Sequence, residues 1–447
     1  MQGREIRMTK DNLPIEAGFG RRALLKGAAA GALVAATGGH RVWAQAATTP
    51  TIPEATIRLG GFAVTNHGWT VLMSESGFLK DVGITMAGGA PKLLRETQVL
   101  PQVNQGELDI ATMWFGMVTQ ALDKETAIRP ILSYSYFQGN TILASPDSGF
   151  KSVDEFVEGG MAWDEAAAAA VQQMRGKRFA ITASPSTYPW NDFALSLGGL
   201  SMKDTQTFPV EDPRAVQMAI GGRVDFAAPG GAVQVYQLQY QAGWKPIIST
   251  RQMVKYMPSG TGSAVNELLN YDLMICTDSF LEQNRETVYR WCGATYRTLE
   301  YIFADSQQQA LAKYAPFISA NTGSQMTPET IKYIFEQLDP FFRWKDQAGI
   351  WEDQNNTLYF KNIYTYQIGK FVAAGTIPDQ PYDLDKIFAS ATIWREMKEM
   401  QAKTEAILAK LNASASEDRQ RLAVQAKLHY DSFNFYDALR FAEAATA

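Results

Sequence analysis

Short apolar runs and segments of helical periodicity alternate along most of the chain. Residues 56–60 read as a first strand and 69–78 as the helix after it. A strand at 84–86, a helix at 93–104 and a strand at 108–113 follow, then two strands at 130–134 and 141–144. A second series runs through strand 178–182, helix 190–198, strand 207–210, helix 213–221 and strand 224–227. After a long excursion, 270–277 reads as a strand and 282–303 as a long amphipathic helix. Short strands separated by helices of about 10–15 residues predict an α/β fold with largely parallel sheets covered on both faces. Two series predict two lobes, 55–144 with 272–327 forming the first and 145–271 the second. The alternation is interrupted near 144–149 and 266–272, the expected crossings between lobes.

Two regions stand outside this alternation. Residues 161–174, with Ala166 to Ala170 at their centre, read as a helical insertion in the second lobe. From 328 to 447 the pattern is almost wholly helical: 393–411 places apolar residues at helical spacing among Lys, Glu and Gln, and 422–441 continues in the same style. An amphipathic helix ordinarily buries its apolar stripe, so this C-terminal extension is expected to pack against one lobe.

The start of the chain has a different character. Gly20-Arg21-Arg22-Ala23-Leu24-Leu25-Lys26 precedes a bland apolar stretch from Gly27 to Gly39, and Ala44-Gln45-Ala46 follows. A basic region, a short apolar region and a small-x-small site describe an export signal, cleaved near Ala46 to leave a periplasmic protein. The paired arginines resemble the twin-arginine signal, although Gly20 and Leu24 depart from its preferred residues. Composition changes at the same place. Seven Lys or Arg and three Asp or Glu give residues 1–46 a net +4, which leaves −9 for the rest of a chain whose total is −5. An acidic body without basic clusters excludes nucleic acid as a partner. No run of about 20 apolar residues occurs, which excludes a membrane-inserted helix.

Three His and two Cys leave little material for metal chemistry, and with His40 lost in the signal only His67 and His429 remain. No metal site and no cofactor are expected. Cys276 and Cys292 read as two separately buried thiols, since spacing alone does not establish a disulfide. The absence of a Gly-x-x-x-x-Gly-Lys-Ser/Thr loop rules out an ATP-driven motor, and no Gly-x-Ser-x-Gly elbow supplies a nucleophile.

Five pieces then carry a family resemblance. They are Glu75-Ser76-Gly77-Phe78-Leu79-Lys80-Asp81-Val82-Gly83-Ile84, Gly106-Glu107-Leu108-Asp109-Ile110-Ala111, Gly176-Lys177-Arg178-Phe179-Ala180-Ile181, Gly221-Gly222-Arg223-Val224-Asp225-Phe226-Ala227 and Cys276-Thr277-Asp278-Ser279-Phe280-Leu281. In order and spacing, over roughly 55–305, they resemble solute-binding proteins of nitrate, sulfonate and taurine importers and of thiamine-pyrimidine precursors. The resemblance implies a two-lobe periplasmic-binding-protein fold of type II with two hinge crossings. It also implies a monomer that captures a small solute and delivers it to the permease subunits of an ABC importer. The insertion and the helical tail depart from the common pattern. Two alternatives are a ligand-sensing subunit for a membrane sensor and, within the wider family, an enzyme of thiamine-pyrimidine synthesis. Export and the scarcity of His and Cys argue against the enzyme.

Glycine ahead of Asp109 and Asp225 permits the positive φ needed to leave a helix and enter a buried strand, so both aspartates are expected to hold turns away from the ligand. In open sheets ligands bind beyond the carboxyl ends of strands. That places the ligand loops at 62–69, 112–117, 184–191 and 228–232, the last including Gly230. None of these contains Lys, Arg, Asp or Glu. They do contain Phe62, His67, Trp69, Trp114, Phe115, Tyr188 and Trp190, with Asn66, Thr112, Ser184, Ser186, Thr187 and Asn191 among them. Aromatic faces bind flat ligands and polar groups orient them. Trp69, Trp114 and Trp190 are the expected stacking rings, and Asn66, Ser184 and Thr187 the orienting groups. A buried dianion without a counter-charge is costly, so a neutral, zwitterionic or singly charged organic solute with a planar part is expected.

Overall fold

The computed structural model describes residues 49–446 apart from 63, 121, 123–127, 184–186, 305–306 and 412–415. The export segment and its cleavage at Ala46, as well as Ser184 and Ser186, lie outside the described residues. In chain order the strands are β1 (Ala55–Ile57), β2 (Leu59–Phe62), β3 (Ile84–Met86), β4 (Lys92–Leu94), β5 (Ile110–Trp114) and β6 (Ile128–Phe137). They continue with β7 (Thr141–Ala144), β8 (Arg178–Thr182), β9 (Gln206–Val210), β10 (Phe226–Ala228), β11 (Lys245–Ser249) and β12 (Asn270–Thr277).

These strands make two five-stranded sheets, β4-β2-β5-β12-β6 and β9-β8-β10-β7-β11, with β1 and β3 as a small parallel pair. The two sheets follow one plan. Three strands at one side are parallel, and a strand that has just crossed from the other sheet enters antiparallel between the third and the last. Half of the pairings are therefore antiparallel, and largely parallel sheets are not what forms. The two intruders are β7 and β12. Because β7 pairs with β10 and β11, the first crossing falls at 138–140, ahead of the expected 144–149. The second ends where β12 begins, at Asn270.

Local chemistry explains the finer differences. The expected strand at 56–60 splits at Arg58, whose N–H donates to the Asp109 carboxylate at 2.7 Å and whose carbonyl accepts from the Asp109 N–H at 2.9 Å. The Arg58 guanidinium closes the clasp on the same carboxylate. Asp225 repeats it, accepting from the Arg178 N–H at 3.0 Å and from the Arg178 guanidinium at 2.8 Å. Gly106 and Gly222, three residues before each aspartate, take φ of 69° and 64°, the left-handed values that glycine adopts without strain. The helix expected at 93–104 yields β4 followed by a helix over Glu96–Asn104. That expected over 69–78 is replaced by two short helices, Thr65–Gly68 and Val71–Glu75.

The insertion forms a helix, Trp163–Gln172, burying Ala166, Ala167, Ala170 and Val171 in the second lobe. The C-terminal extension packs on the first lobe. Its helix Ala389–Leu408 buries Ile393 and Met397 in the same core as Trp291 and Leu299 of helix Arg285–Phe303. The expected helix over 422–441 breaks into Glu417–Asp431 and Phe435–Thr446, with Phe433 between them at φ 60°. The break lets the Phe433 carbonyl approach within 2.6 Å of where a Cβ would stand on Gly293. Beside it, buried Arg290 makes a two-pronged ion pair with buried Asp437, at 2.8 and 3.0 Å.

The same extension braces both crossings. Gln138 donates to the Leu338 carbonyl at 2.9 Å and to the Gln337 carbonyl at 3.0 Å. The buried amide of Gln367 donates to the carbonyls of Asn266 and Leu269 at 2.9 and 2.7 Å. Cys276 and Cys292 are buried free thiols, and burial pushes Cys276 up to about 12. Among the described residues no helix is long and apolar enough to cross a membrane.

Candidate functional site

A cleft of about 410 Å³ opens between the two sheets. The first lobe supplies Phe62 at the end of β2, Asn66 and His67 on the following turn, Trp114 at the end of β5 and Asp272 near the start of β12. The second supplies Thr182 at the end of β8, then Thr187, Glu211, Asp212, Gly230 and Gln234. Asn140 and Asn270, at the two crossings, complete the cleft's flank.

The first-lobe side is a bonded floor. Asp272 is buried and accepts from Asn66 Nδ2 at 2.9 Å and from Ser135 Oγ at 2.8 Å. His67 Nε2 lies 3.6 Å from the other carboxylate oxygen, and His67 Nδ1 is 3.0 Å from the Tyr134 hydroxyl. Behind this network sits Asp339, also buried. Burial first, and then the neighbouring Asp272 charge, push its carboxyl well above the ordinary carboxylate range. Both causes favour the neutral acid over a second carboxylate, which would repel Asp272.

The second-lobe side is more open. The Gly230 N–H donates to Asp212 Oδ1 at 2.8 Å and to Thr182 Oγ1 at 2.7 Å, and Thr182 also bonds Asp212. Burial raises the Asp212 carboxyl, against the pull of these donors. A Cβ on Gly230 would stand 2.7 Å from the Thr187 methyl, so no side chain fits there. Across the cleft the Trp114 indole N–H donates to Glu96 Oε1 at 2.6 Å, which fixes the ring.

Of the residues expected from sequence, Phe62, Asn66, His67, Trp114, Thr187 and Gly230 come together in the cleft. The other described ones do not line it. Trp69 is fully buried in the first-lobe core, edge-on to Tyr134 and Phe341. Phe115 is stacked on Phe388, and Thr112 is buried within the sheet. Trp190 belongs to the second-lobe core, and Asn191 is buried with its amide donating to the Thr187 carbonyl at 2.9 Å. Trp69, in the turn between the two short helices, and Trp190, on helix Tyr188–Ser196, are therefore structural, because each ring is turned into its lobe's core.

Sequence reasoning missed four carboxylates that line the cleft: Glu96, Glu211, Asp212 and Asp272. The uncharged ligand loops are corrected accordingly. The strand-end rule had the means to find three of them. Glu96 follows β4, and Glu211 and Asp212 follow β9, at strand ends that were not counted. Asp272 had no such signal, since β12 is antiparallel and brings its first residues, not its last, to the cleft.

Residues 153–309 match the family described as NMT1/THI5 like. The periplasmic aliphatic sulphonate binding protein SsuA from Escherichia coli superposes with a TM-score of 0.52 at 14% identity, over 76% of this chain and 99% of that one. A putative sulfonate ABC transporter protein, the periplasmic sulfonate-binding protein SsuA from Methylobacillus flagellatus, gives 0.50 at 16% identity, over 77% and 95%. The desulfurization enzyme DSZB gives 0.48 at 13% identity, over 77% and 99%. No curated protein matches the chain significantly in sequence. At these identities the likeness is one of fold: the chain has the two-lobed α/β architecture of periplasmic binding proteins, with a helical C-terminal region added.

Proposed function

We propose that this protein is the periplasmic solute-binding component of an ABC importer. It captures a small organic solute between its lobes and delivers it to the permease as a monomer. The observation that carries this reading is the cleft itself, to which both sheets contribute and whose flank carries the two adjacent chain crossings. A solute touching both sides favours the closed arrangement of the lobes by its differential contacts. Residues 1–46 are read as the export signal, so the mature chain begins near Ala47. N-terminal sequencing of protein from the periplasm checks that start.

Trp114 is the cleft's anchored ring, and loss of a well-packed anchor costs about 2 kcal/mol or more. Trp114→Ala is therefore expected to weaken solute binding by roughly thirtyfold, measured by calorimetry on the mature protein. An unchanged affinity would remove the cleft from consideration.

A further inference from the structure

We propose that the solute is an organic cation, with an ammonium or amidinium group held between carboxylates of both lobes. The inference rests on the reading of the cleft as the solute site and adds the charge class. Glu96 and Asp272 face the cleft from the first lobe, Glu211 and Asp212 from the second. No Lys or Arg is among the described residues that line it. Glu211 pairs with no cation among the described residues, and neither Asp212 nor Asp272 is matched by a Lys or Arg.

A separate observation points the same way. Gln234 lines the cleft and is only 8% exposed, yet its side-chain amide makes no hydrogen bond among the described residues. The amide is thus open to a ligand, and its oxygen can accept from a solute N–H. The charges also exclude the opposite class. Helix N-termini are the usual sites for anions. At this cleft the first turns of helices Glu96–Asn104 and Asp212–Ile220 already hold the carboxylates of Glu96 and Asp212. An anionic solute would meet like charge from both lobes. A neutral one would leave four carboxylates to be drawn together as the lobes approach. A cation removes that repulsion, and its flat or apolar part has Phe62 and Trp114 to lie against.

The test is a binding panel on the mature protein in which each cation has isosteric neutral and anionic counterparts. Benzylammonium, benzamidinium, choline and putrescine serve as the cations. Glu211→Gln is the diagnostic variant, because that side chain is exposed and holds no other group in place, and its melting temperature verifies the fold. At least one cation is expected to bind at least tenfold more tightly than its counterparts. Its affinity should fall about tenfold in Glu211→Gln and should weaken as ionic strength rises. Tighter binding of a neutral or anionic counterpart, or cation binding indifferent to Glu211→Gln at low salt, overturns the charge assignment. If that counterpart is lost in Trp114→Ala, the solute-binding reading survives. Failure of every class to bind overturns both.

Discussion

At the end of each lobe remote from the cleft, an aspartate three residues after a left-handed glycine clasps an arginine beside the lobe's central strand. Asp109 with Arg58 and Asp225 with Arg178 repeat the arrangement almost atom for atom. At the opposite end the lobes share nothing comparable. The first offers Asp272, buried and bonded to Asn66 and Ser135, with buried Asp339, its carboxyl raised well above the ordinary range, behind it. The second offers Asp212 tied to a backbone amide, beside an exposed Glu211. The difference teaches which parts belong to the architecture and which to the ligand. A turn into a buried strand has few chemical solutions and recurs. The surface facing solute is free to diverge once the strand ends are placed.

The largest expected effect tests whether the first lobe owes its stability to the helical extension packed on it. Asp437→Ala leaves buried Arg290 with only the exposed Glu286 at 3.8 Å, and breaking such a buried pair costs about 3–5 kcal/mol. Urea unfolding should register that loss. Substituting Arg290→Met together with Asp437→Leu should recover most of it.

The clasps come next. Asp109→Ala or Asp225→Ala removes a carboxylate that serves both a backbone N–H and a guanidinium, at an expected cost of about 1–2 kcal/mol each. The Asp109 variant should lose more, since that side chain is 11% exposed against 28% for Asp225. Solute affinity should stay within about twofold in both by this assignment. A large affinity loss in either would break the division between architectural and ligand ends.

The smallest effect is a contrast in pH dependence. In the second lobe, Glu155 pairs with Lys245 and accepts from the Ser152 N–H at 2.6 Å, and these bonds hold its carboxyl at about 2 against an ordinary 4.5. Its folded value is depressed, so it contributes stability above about pH 4.5 that is lost as pH falls towards 2. Asp339 in the first lobe has the opposite sign. It keeps its proton in the fold and releases it on unfolding above the ordinary 3.8, so stability declines as pH rises beyond that value. Melting temperature followed from pH 3 to pH 7 should rise with pH more steeply in Asp339→Asn than in the parent. In Glu155→Gln it should rise less steeply.

How much of this was legible in the sequence follows from how local each feature is. The Gly-x-x-Asp turns were readable because four adjacent residues contain the whole argument. Strands 84–86, 178–182 and 270–277 form at the bounds their apolar runs suggest. The three-residue β4 was absorbed into a helical pattern, and Glu96 was lost with it. Asp272 was invisible for a different reason: its place depends on β12 entering its sheet backwards, a fact of topology that no local run encodes. Trp69 and Trp190 show the converse error. A ring beyond a strand end points to solute or to core according to how the turn or helix that carries it is rotated, and both rings turn inward.

The bracing of the two crossings by the C-terminal extension has a consequence for binding thermodynamics. Gln138 is held by residues 337–338, and the carbonyls of Asn266 and Leu269 by Gln367. Conformational freedom that a bare two-strand hinge would surrender on capturing a solute has here been surrendered in folding. Binding then carries a smaller entropic penalty. In Gln367→Ala that restraint is gone, the lobes sample a wider range of separations, and a matched solute should bind more weakly with a larger unfavourable entropy. The extension would thus act on affinity from outside the cleft, as a stiffener whose contribution appears in the entropy of association.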